Sequence, residues 1–247
     1  RTKYDLNVSH ILIAFDNSST KRTEKEAFDK INSIKDEILT GNITFERAAI
    51  MHSDDRSSKI NQGNLGYFTS FMMVYPFESA AYNCEVGQIC GPVRTKYGLH
   101  LIKLNDKRNA LGEVQVSHIM FKTQQGNKEK NQTAKTKIFD VYEKLNEGQE
   151  FEDLAERFSE DKSSAVKGGK LPPFGVGKMV PVFEDASFDL KKINDYSKPF
   201  ESDFGWHIVK LISKKPILPF DELKSDLKRK IERDSRANLS QESLFKK

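Results

Sequence analysis

The 247-residue sequence has little cysteine and no long hydrophobic run. Its two cysteines, Cys84 and Cys90, are separated by five residues and lack the further ligands that a zinc site needs. The sequence leaves two alternatives for these cysteines, a local disulfide and a pair of buried thiols, and we favour the thiols. Since no apolar run approaches the roughly 20 residues of a membrane-spanning helix, the sequence predicts no membrane span.

An excess of charge of one sign is also missing. Forty Lys and Arg residues against 36 Asp and Glu residues give a net charge of +4, and the two signs are interspersed. No basic stripe is interleaved with aromatic residues, so nucleic acid is not predicted as a partner. There is no signal-peptide pattern, but the sequence starts at Arg1 and not at Met, so this absence says little about the compartment.

What the sequence does contain is an internal repeat of roughly a hundred residues. Three pairs of segments match. FERAAIMHSDDRSS from Phe45 matches FEDLAERFSEDKSS from Phe151, and MVYPFESAAY from Met73 matches MVPVFEDASF from Met179. Val-Ser-His-Ile occurs twice, from Val8 and from Val116. GLHLIKL and GWHIVKL then match His100 with His207. Four of the five histidines occupy matched positions, and only His52 has no counterpart. The chain is therefore a tandem duplication.

Each copy reads as strand, two helices, short strand, helix and final strand. The first long helix carries an apolar face made by Phe28, Ile31, Ile34 and Ile38 in copy one and by Ile138, Val141, Tyr142 and Leu145 in copy two. This order predicts an α+β fold of two domains, each a small antiparallel sheet surrounded by helices. We place the domains at residues 1–108 and 110–214, with 105–113 as the linker.

A helical extension without a repeat partner is predicted for residues 215–247. Pro216 and Pro219 end the last strand, and Asp221 is the expected helix N-cap. Leu223, Leu227 and Ile231 form one narrow apolar stripe. Because this stripe is too small to stabilise a free helix, we expect the helix to dock elsewhere.

The ordered motifs SHIL, S-x-D-x-S, G-x-L-G-x-F, MV-x-x-FE-x-A and G-x-H-x-I resemble the parvulin family of peptidyl-prolyl cis/trans isomerases, in both copies and across nearly all of residues 6–213. Two such units followed by a helical tail resemble the SurA-like periplasmic foldases. The resemblance implies a periplasmic or cell-envelope location, proline-containing unfolded or extended polypeptides as partners, and neither cofactor nor metal. It also implies an N-terminal chaperone segment of the same protein as a further partner, for which this sequence shows no counterpart.

The same resemblance implies an apolar proline-binding pocket in each copy. The pocket residues are Leu65, Met73 and Phe77 in copy one and Leu171, Met179 and Phe183 in copy two. Met and Phe four residues apart lie on one face of a helix, as a pocket wall requires. Ordinary core packing would give the same spacing and is the alternative.

A polar network beside the pocket is implied as the catalytic set. Its members are His10, Asp55, Thr95 and His100 in copy one and His118, Asp161, Ser202 and His207 in copy two. We expect the two histidines of each copy to lie on neighbouring strands and to hydrogen-bond to each other. A metal site would need further matched ligands, which the repeat lacks. The alternative for each aspartate is a solvated loop acid.

Isomerisation explains why these residue types suffice. Rotation about a peptide bond faces a barrier of about 18–20 kcal/mol, and no covalent bond has to change. A catalyst therefore needs to hold the proline, withdraw its carbonyl from water and favour the twisted amide. We expect a peptidyl-prolyl isomerase acting on unfolded or partly folded proteins; the alternative is a chaperone of the holdase type whose units bind extended peptide with little turnover.

Some residues depart from the family pattern. Pro172 and Pro173 replace the usual continuation of one motif in copy two, and Gln62 stands in copy one where the family has Gly. Copy one also shifts the proline near the pocket helix, because it has Tyr75-Pro76 where copy two keeps Met-Val-Pro. We therefore slightly favour copy two as the active unit.

Overall fold

The computed structural model describes residues 3–15 and 22–238. The chain divides into two compact units, one comprising residues 1–110 and 218–247 and the other residues 111–217. Parts of the predicted ranges 1–108 and 215–247, namely residues 1–2, 16–21 and 239–247, lie outside the described residues. The extension predicted at 215–247 does not stand by itself, because its described part from residue 218 onward groups with unit 1.

Unit 1 is a four-stranded antiparallel sheet with helices packed against it. Its elements in chain order are β1 (Tyr4–Ile13), α1 (Glu24–Leu39), α2 (Phe45–His52), α3 (Ser58–Asn61), β2 (Asn64–Phe68), α4 (Tyr75–Tyr82), β3 (Ile89–Thr95) and β4 (Gly98–Asn109). The strand order is β2-β1-β4-β3, which places the first and last long strands side by side.

Unit 2 repeats this plan. Its elements are β5 (Glu113–Lys122), α5 (Lys128–Asn146), α6 (Phe151–Phe158), α7 (Lys162–Ala165), β6 (Phe174–Gly175), α8 (Pro181–Asp189), β7 (Phe200–Ser202) and β8 (Gly205–Lys215). The strand order β6-β5-β8-β7 is again antiparallel. The expected α+β fold of two small antiparallel sheets surrounded by helices is confirmed.

The long helix of unit 1 has a well-defined N-cap, and its buried face differs at one residue from the face that the apolar pattern predicts. Thr23 caps α1 in a capping box with Glu26, and Ala27, Ile31 and Ile34 are the residues it buries. Phe28, which we had placed on the buried face, is 51% exposed. Its neighbour Ala27 occupies the core-facing position instead, while Ile31 and Ile34 are buried as expected.

The linker is shorter than the predicted span 105–113. Strand β4 runs to Asn109 and β5 begins at Glu113, which leaves residues 110–112 between them. The polar stretch after Leu104 reads as loop by composition, yet it pairs with the start of β1, from Asn7 opposite Asp106 to Tyr4 opposite Asn109. A β-bulge at Asn7 and Val8 lets the ladder continue past the last apolar residue.

The two prolines of copy two shorten its edge strand. Strand β6 has two residues, whereas the matching β2 has five. Pro172 and Pro173 precede β6, and proline has no N–H to donate to a sheet. The departure from the family pattern therefore changes one edge of the sheet and leaves the central strands unchanged.

The cysteines correct our preference for thiols. Cys84 follows α4 and Cys90 lies in β3, and the fold brings their Cα atoms to 6.1 Å, where they form a disulfide with an S–S distance of 2.00 Å. A spacing of five intervening residues does not reveal this, because only the return of the chain from helix to strand makes the two sulfurs neighbours.

The C-terminal extension forms helix α9 (Phe220–Glu232) and a 3-10 turn at Ser235–Asn238. Pro219 and not Asp221 is the N-cap residue, so the helix begins two residues earlier than we expected. Leu223 and Leu227 are half-buried, and α9 has no fully buried residue. Among the residues that the structure describes, no helix has the length and apolar character needed to cross a membrane.

Candidate active site

The central strands place a pair of histidines on one face of each sheet. In unit 1, His10 of β1 lies opposite Ile102 of β4, and Leu12 lies opposite His100. Residues directly opposite share a face and side chains two apart return to it, so the two histidines are diagonal neighbours. The register in unit 2 is the same, with His118 opposite Val209 and Met120 opposite His207.

A matched glycine lets the loop before β2 or β6 approach the first histidine. The N–H of His10 donates to the carbonyl of Gly63 at 2.8 Å, and the N–H of His118 donates to that of Gly169 at 2.8 Å. Both glycines have a positive φ, and a Cβ at either position would meet the carbonyl oxygen of the histidine. Only glycine fits here, which explains the motif around Leu65 and Leu171.

In unit 1 the four predicted polar residues form one continuous chain. His10 Nδ1 lies 3.3 Å from His100 Nδ1, His10 Nε2 lies 2.8 Å from Asp55 Oδ2, and Thr95 Oγ1 lies 2.8 Å from His100 Nε2. A carboxylate can only accept, so Nε2 of His10 carries hydrogen. With both rings neutral, Nδ1 of His10 then accepts from Nδ1 of His100, whose Nε2 accepts from the Thr95 hydroxyl. The carboxylate thus sets the tautomer of both rings.

In unit 2 the Asp–His and hydroxyl–His hydrogen bonds at the two ends of the network are the same as in unit 1, but the contact between the two rings differs. His118 Nε2 lies 2.8 Å from Asp161 Oδ2, and Ser202 Oγ lies 2.8 Å from His207 Nε2. The two rings are stacked at an interplanar angle of 16° with centroids 6.1 Å apart. Their Nδ1 atoms have no hydrogen-bond partner among the described residues, so the hydrogen bond that we expected between the two rings of each copy is present in unit 1 and absent from unit 2.

Short serine turns hold each aspartate beneath its histidine. Asp55 accepts hydrogen bonds from the N–H and hydroxyl of Ser57 at 2.9 and 2.8 Å. Asp161 is the N-cap of α7 and accepts from the N–H of Ser163 at 3.2 Å and from its hydroxyl at 2.6 Å. Neither aspartate is a freely solvated loop acid, because each one is bonded on both carboxylate oxygens.

Burial and hydrogen bonding set the charge of the network. Burial lowers the pKa of His100 and of His207 to about 4, with a further contribution from the partner histidine, so both rings are neutral at pH 7. Burial also lowers the pKa of His118, against the opposing effect of Asp161. For Asp161, burial favours the protonated form, but hydrogen bonds from Ser163, Ser164 and His118 outweigh it and lower its pKa.

The predicted pocket phenylalanines touch both histidines of their unit. The ring of Phe77 meets His10 and His100 edge to face, with centroids 5.9 and 5.3 Å apart. Phe183 meets His118 and His207 in the same way at 5.8 and 5.6 Å. Both phenylalanines are buried, so each can form the floor of a pocket.

The remaining pocket residues are more exposed than the phenylalanines. Leu65 and Met73 are half-buried and pack on the cluster that contains Phe77. Leu171 and Met179 are half-buried as well; Leu171 is fixed to β5 through its N–H and the carbonyl of Val116 at 2.9 Å. Half-exposed apolar side chains together with a buried aromatic ring can form a shallow apolar site of the kind that a proline ring fits.

Sequence reasoning missed four residues around these sites. Phe200 stacks on His207 at 5.4 Å where unit 1 has Val93, and Ser164 lies 3.0 Å from His118 Nε2. Glu78 and Glu184 are buried on the pocket helices and accept hydrogen bonds from backbone N–H groups of the preceding loop. The two glutamates could have been found, since a charged residue recurs at one position of an otherwise apolar repeated motif.

Comparison with known families decides what this geometry belongs to. Two family profiles, each described as the PPIC-type PPIASE domain, match residues 10–106 and 102–215. The chain belongs to the parvulin family. The expected pair of tandem parvulin domains is thereby confirmed.

Relatives of the two parvulin units are chaperones and isomerases. Chaperone SurA of Alkalilimnicola ehrlichii is 31% identical over 216 residues, which make up 85% of this chain and 49% of the relative. Chaperone SurA of Hahella chejuensis is 32% identical over 211 residues, or 84% of this chain and 48% of the relative. The chain thus spans about half the length of the curated relatives it matches.

Two solved parvulin structures are similar in sequence. The peptidylprolyl isomerase PrsA from Bacillus anthracis is 36% identical, with a TM-score of 0.39 over 49% of this chain and 50% of that one. NmPin, the parvulin of Nitrosopumilus maritimus, is 35% identical, with a TM-score of 0.33 over 41% of this chain and 97% of that one. The family assignment rests on the sequence matches.

Proposed function

We propose that this chain is a peptidyl-prolyl cis/trans isomerase that assists the folding of proline-containing polypeptides. The observation that carries the proposal is the buried phenylalanine set edge-on to two histidines in each unit, with the Leu and Met of the same repeated motifs half-exposed. Both units keep this arrangement. A pocket used for core packing alone would not need a repeated polar network beside it.

The mechanism uses the pocket and the network together. Phe183 and Met179 would hold the proline ring of the substrate, which removes the preceding carbonyl from water. In the planar amide that carbonyl is stabilised by resonance, and this stabilisation is lost in the twisted state. The neutral His207 and the Asp161–His118 pair give the site a fixed polarity in a partly dry environment, where it discriminates between the two states more strongly than water does. No bond is made or broken.

Clients and location are part of the same proposal. The relatives named chaperones support unfolded or extended polypeptides as the substrates. The disulfide between Cys84 and Cys90 supports an oxidising compartment, since such bonds persist outside the cytosol. We therefore place the protein in the periplasm or cell envelope.

A protease-free isomerisation assay tests the proposal. The full chain is mixed with a panel of unstructured peptides that contain one X-Pro bond each, and the exchange between cis and trans peptide signals is measured by NMR. We expect faster exchange for at least one peptide, unaffected by EDTA. If no peptide of the panel exchanges faster than it does alone, the isomerase proposal is wrong.

The second candidate is a holdase, which the relatives named chaperones favour. A holdase would bind the same peptides and suppress the aggregation of an unfolded client without accelerating exchange. Measuring aggregation and exchange on the same preparation separates the two functions. Suppressed aggregation together with unchanged exchange would establish the holdase.

We expect Asp161→Asn to slow turnover at unit 2 by about tenfold while leaving the fold intact. The variant keeps the N-cap of α7, since Asn caps as well as Asp, but it removes the charge that holds His118. Losing a charge-assisted hydrogen bond costs about 1.5–3 kcal/mol, which corresponds to a rate at least tenfold lower. Exchange measurements in a Phe77→Ala background isolate unit 2.

Asp153→Asn is the matched control for this variant, because Asp153 is exposed on α6. It removes the same charge from the same unit and should leave exchange unchanged. Equal rates for the two Asn variants would show that Asp161 has no part in turnover.

A further inference from the structure

The C-terminal turn brings an arginine into a buried ion pair with the pocket helix of unit 1. Arg236 Nη2 lies 3.1 Å from Glu78 Oε2, and the two side chains are 10% and 0% exposed. The same guanidinium bonds Asp234 through Nε at 2.9 Å. A pair so far from water is unlike an exposed surface pair, because removing one partner leaves the other charge buried alone.

Glu78 connects this pair to the loop that carries Met73. Its carboxylate accepts a hydrogen bond from the N–H of Phe71 at 2.7 Å. The guanidinium of Arg236 lies over the rings of Phe71 and Tyr75, at 4.1 and 5.0 Å from their centroids. Arg236 therefore contacts residues on both sides of Met73 in the chain, and it pairs with the glutamate that directly follows Phe77.

Comparison with unit 2 shows why unit 1 needs such a contact. Phe71 has a φ of 70°, which is a left-handed backbone conformation that residues other than glycine seldom adopt. Its repeat counterpart is Gly177, which has a φ of 74° and adopts this conformation without strain. A loop held in a strained conformation needs contacts that fix it from outside.

The two pocket glutamates differ accordingly. Glu184 accepts hydrogen bonds from the N–H groups of Lys178 and Met179, so in unit 2 the glutamate holds the loop by itself. Among the described residues no lysine or arginine forms an ion pair with Glu184, whereas Glu78 has Arg236. The repeat positions of Phe71 and Tyr75 are Gly177 and Pro181, so unit 2 also lacks the aromatic platform for a guanidinium.

We propose that Arg236 is a positioning residue of the unit 1 site, and that peptide binding by unit 1, unlike that by unit 2, depends on the C-terminal segment. We call the contacts of Arg236 with Glu78, Phe71 and Tyr75 the brace. Through these residues the brace fixes the position of Met73. That the site binds proline peptides rests on the function proposed above; the brace itself rests on the contacts of Arg236.

Methionine methyl groups report both sites in one molecule. The chain has five methionines, of which Met73 lies in the unit 1 site and Met179 in the unit 2 site. The full chain labelled with ¹³C at the methionine methyls is titrated with an unstructured peptide that contains one X-Pro bond. In Arg236→Ala we expect a shifted Met73 signal before peptide is added and about tenfold weaker binding at Met73, with binding at Met179 unchanged.

Two further variants make the result specific. Arg229→Ala removes an exposed arginine that pairs with Asp226 within α9, and it should leave both methionine signals and both affinities as they are. Arg236→Lys keeps the charge but loses the planar contact with Phe71 and Tyr75, so its affinity at Met73 should fall between those of the wild type and Arg236→Ala. Should Arg236→Ala fail to fold, the lysine variant still decides.

The outcomes separate this inference from the proposed function. An unshifted Met73 signal and unchanged affinity in Arg236→Ala would overturn the brace, and so would an equal loss at Met73 and Met179. If the wild type binds peptide at neither methionine, the proposed function fails, and the Met73 signal of the free protein alone decides whether Arg236 positions the loop.

Discussion

Alanine in place of both Phe77 and Phe183 should lower the isomerisation rate of the full chain by about ten- to a hundredfold. Each ring is buried and contacts both histidines of its unit edge to face. An apolar side chain of this size contributes about 1.5–3 kcal/mol when it is buried against a partner. Every 1.4 kcal/mol lost from the transition state slows the reaction tenfold.

The single variants assign the activity to a unit. If unit 2 is the more active one, Phe183→Ala should account for most of the loss and Phe77→Ala for little. Phe139→Ala is the control in unit 2, since Phe139 is 41% exposed on α5. Phe28→Ala plays the same part in unit 1, because Phe28 is exposed on α1.

Loss of fold has to be separated from loss of pocket. Truncating a buried phenylalanine destabilises a domain by about 3–5 kcal/mol, so circular dichroism and urea unfolding accompany each rate. Phe183→Leu keeps an apolar side chain with most of the volume and should retain more activity than Phe183→Ala. Rates equal to wild type in the folded double variant would contradict the pocket assignment and favour the holdase.

The repeat explains why so much of the site could be predicted. His10 and His100 are 90 residues apart, yet the alternation of the flanking strands and the matched positions in copy two were enough to pair them. Asp55 and Asp161 also recur at matched positions, and it was the resemblance to the parvulin family that assigned them to the network. What a repeat cannot show is a feature that only one copy has.

Three misses follow from that limit. The disulfide of Cys84 and Cys90, the contact of Arg236 with Glu78, and the missing link between the rings in unit 2 each occur once. Their distances depend on how strands and helices pack, and neither composition nor periodicity carries that information. The exposure of Phe28 is of another kind, because two adjacent apolar residues, Ala27 and Phe28, competed for one core position.

Acidification should destabilise unit 2 by about 3 kcal/mol between pH 6.5 and pH 4. The pKa of His207 is lowered from 6.5 to about 4 by burial and by His118, so across this window the unfolded chain takes up a proton that the folded unit does not. Stability is therefore fully present above pH 6.5 and is lost as the pH falls through the window, at about 1.4 kcal/mol per pH unit. Burial lowers the pKa of His118 too, which acts in the same direction, whereas Asp161 titrates below its ordinary value of 3.8 and contributes at lower pH.

Urea unfolding followed by the fluorescence of Trp206, the single tryptophan, reports unit 2 directly. His207→Gln should reduce the slope and His52→Gln should not, since His52 lies in unit 1 outside the network; a full slope in His207→Gln would show that another group is responsible.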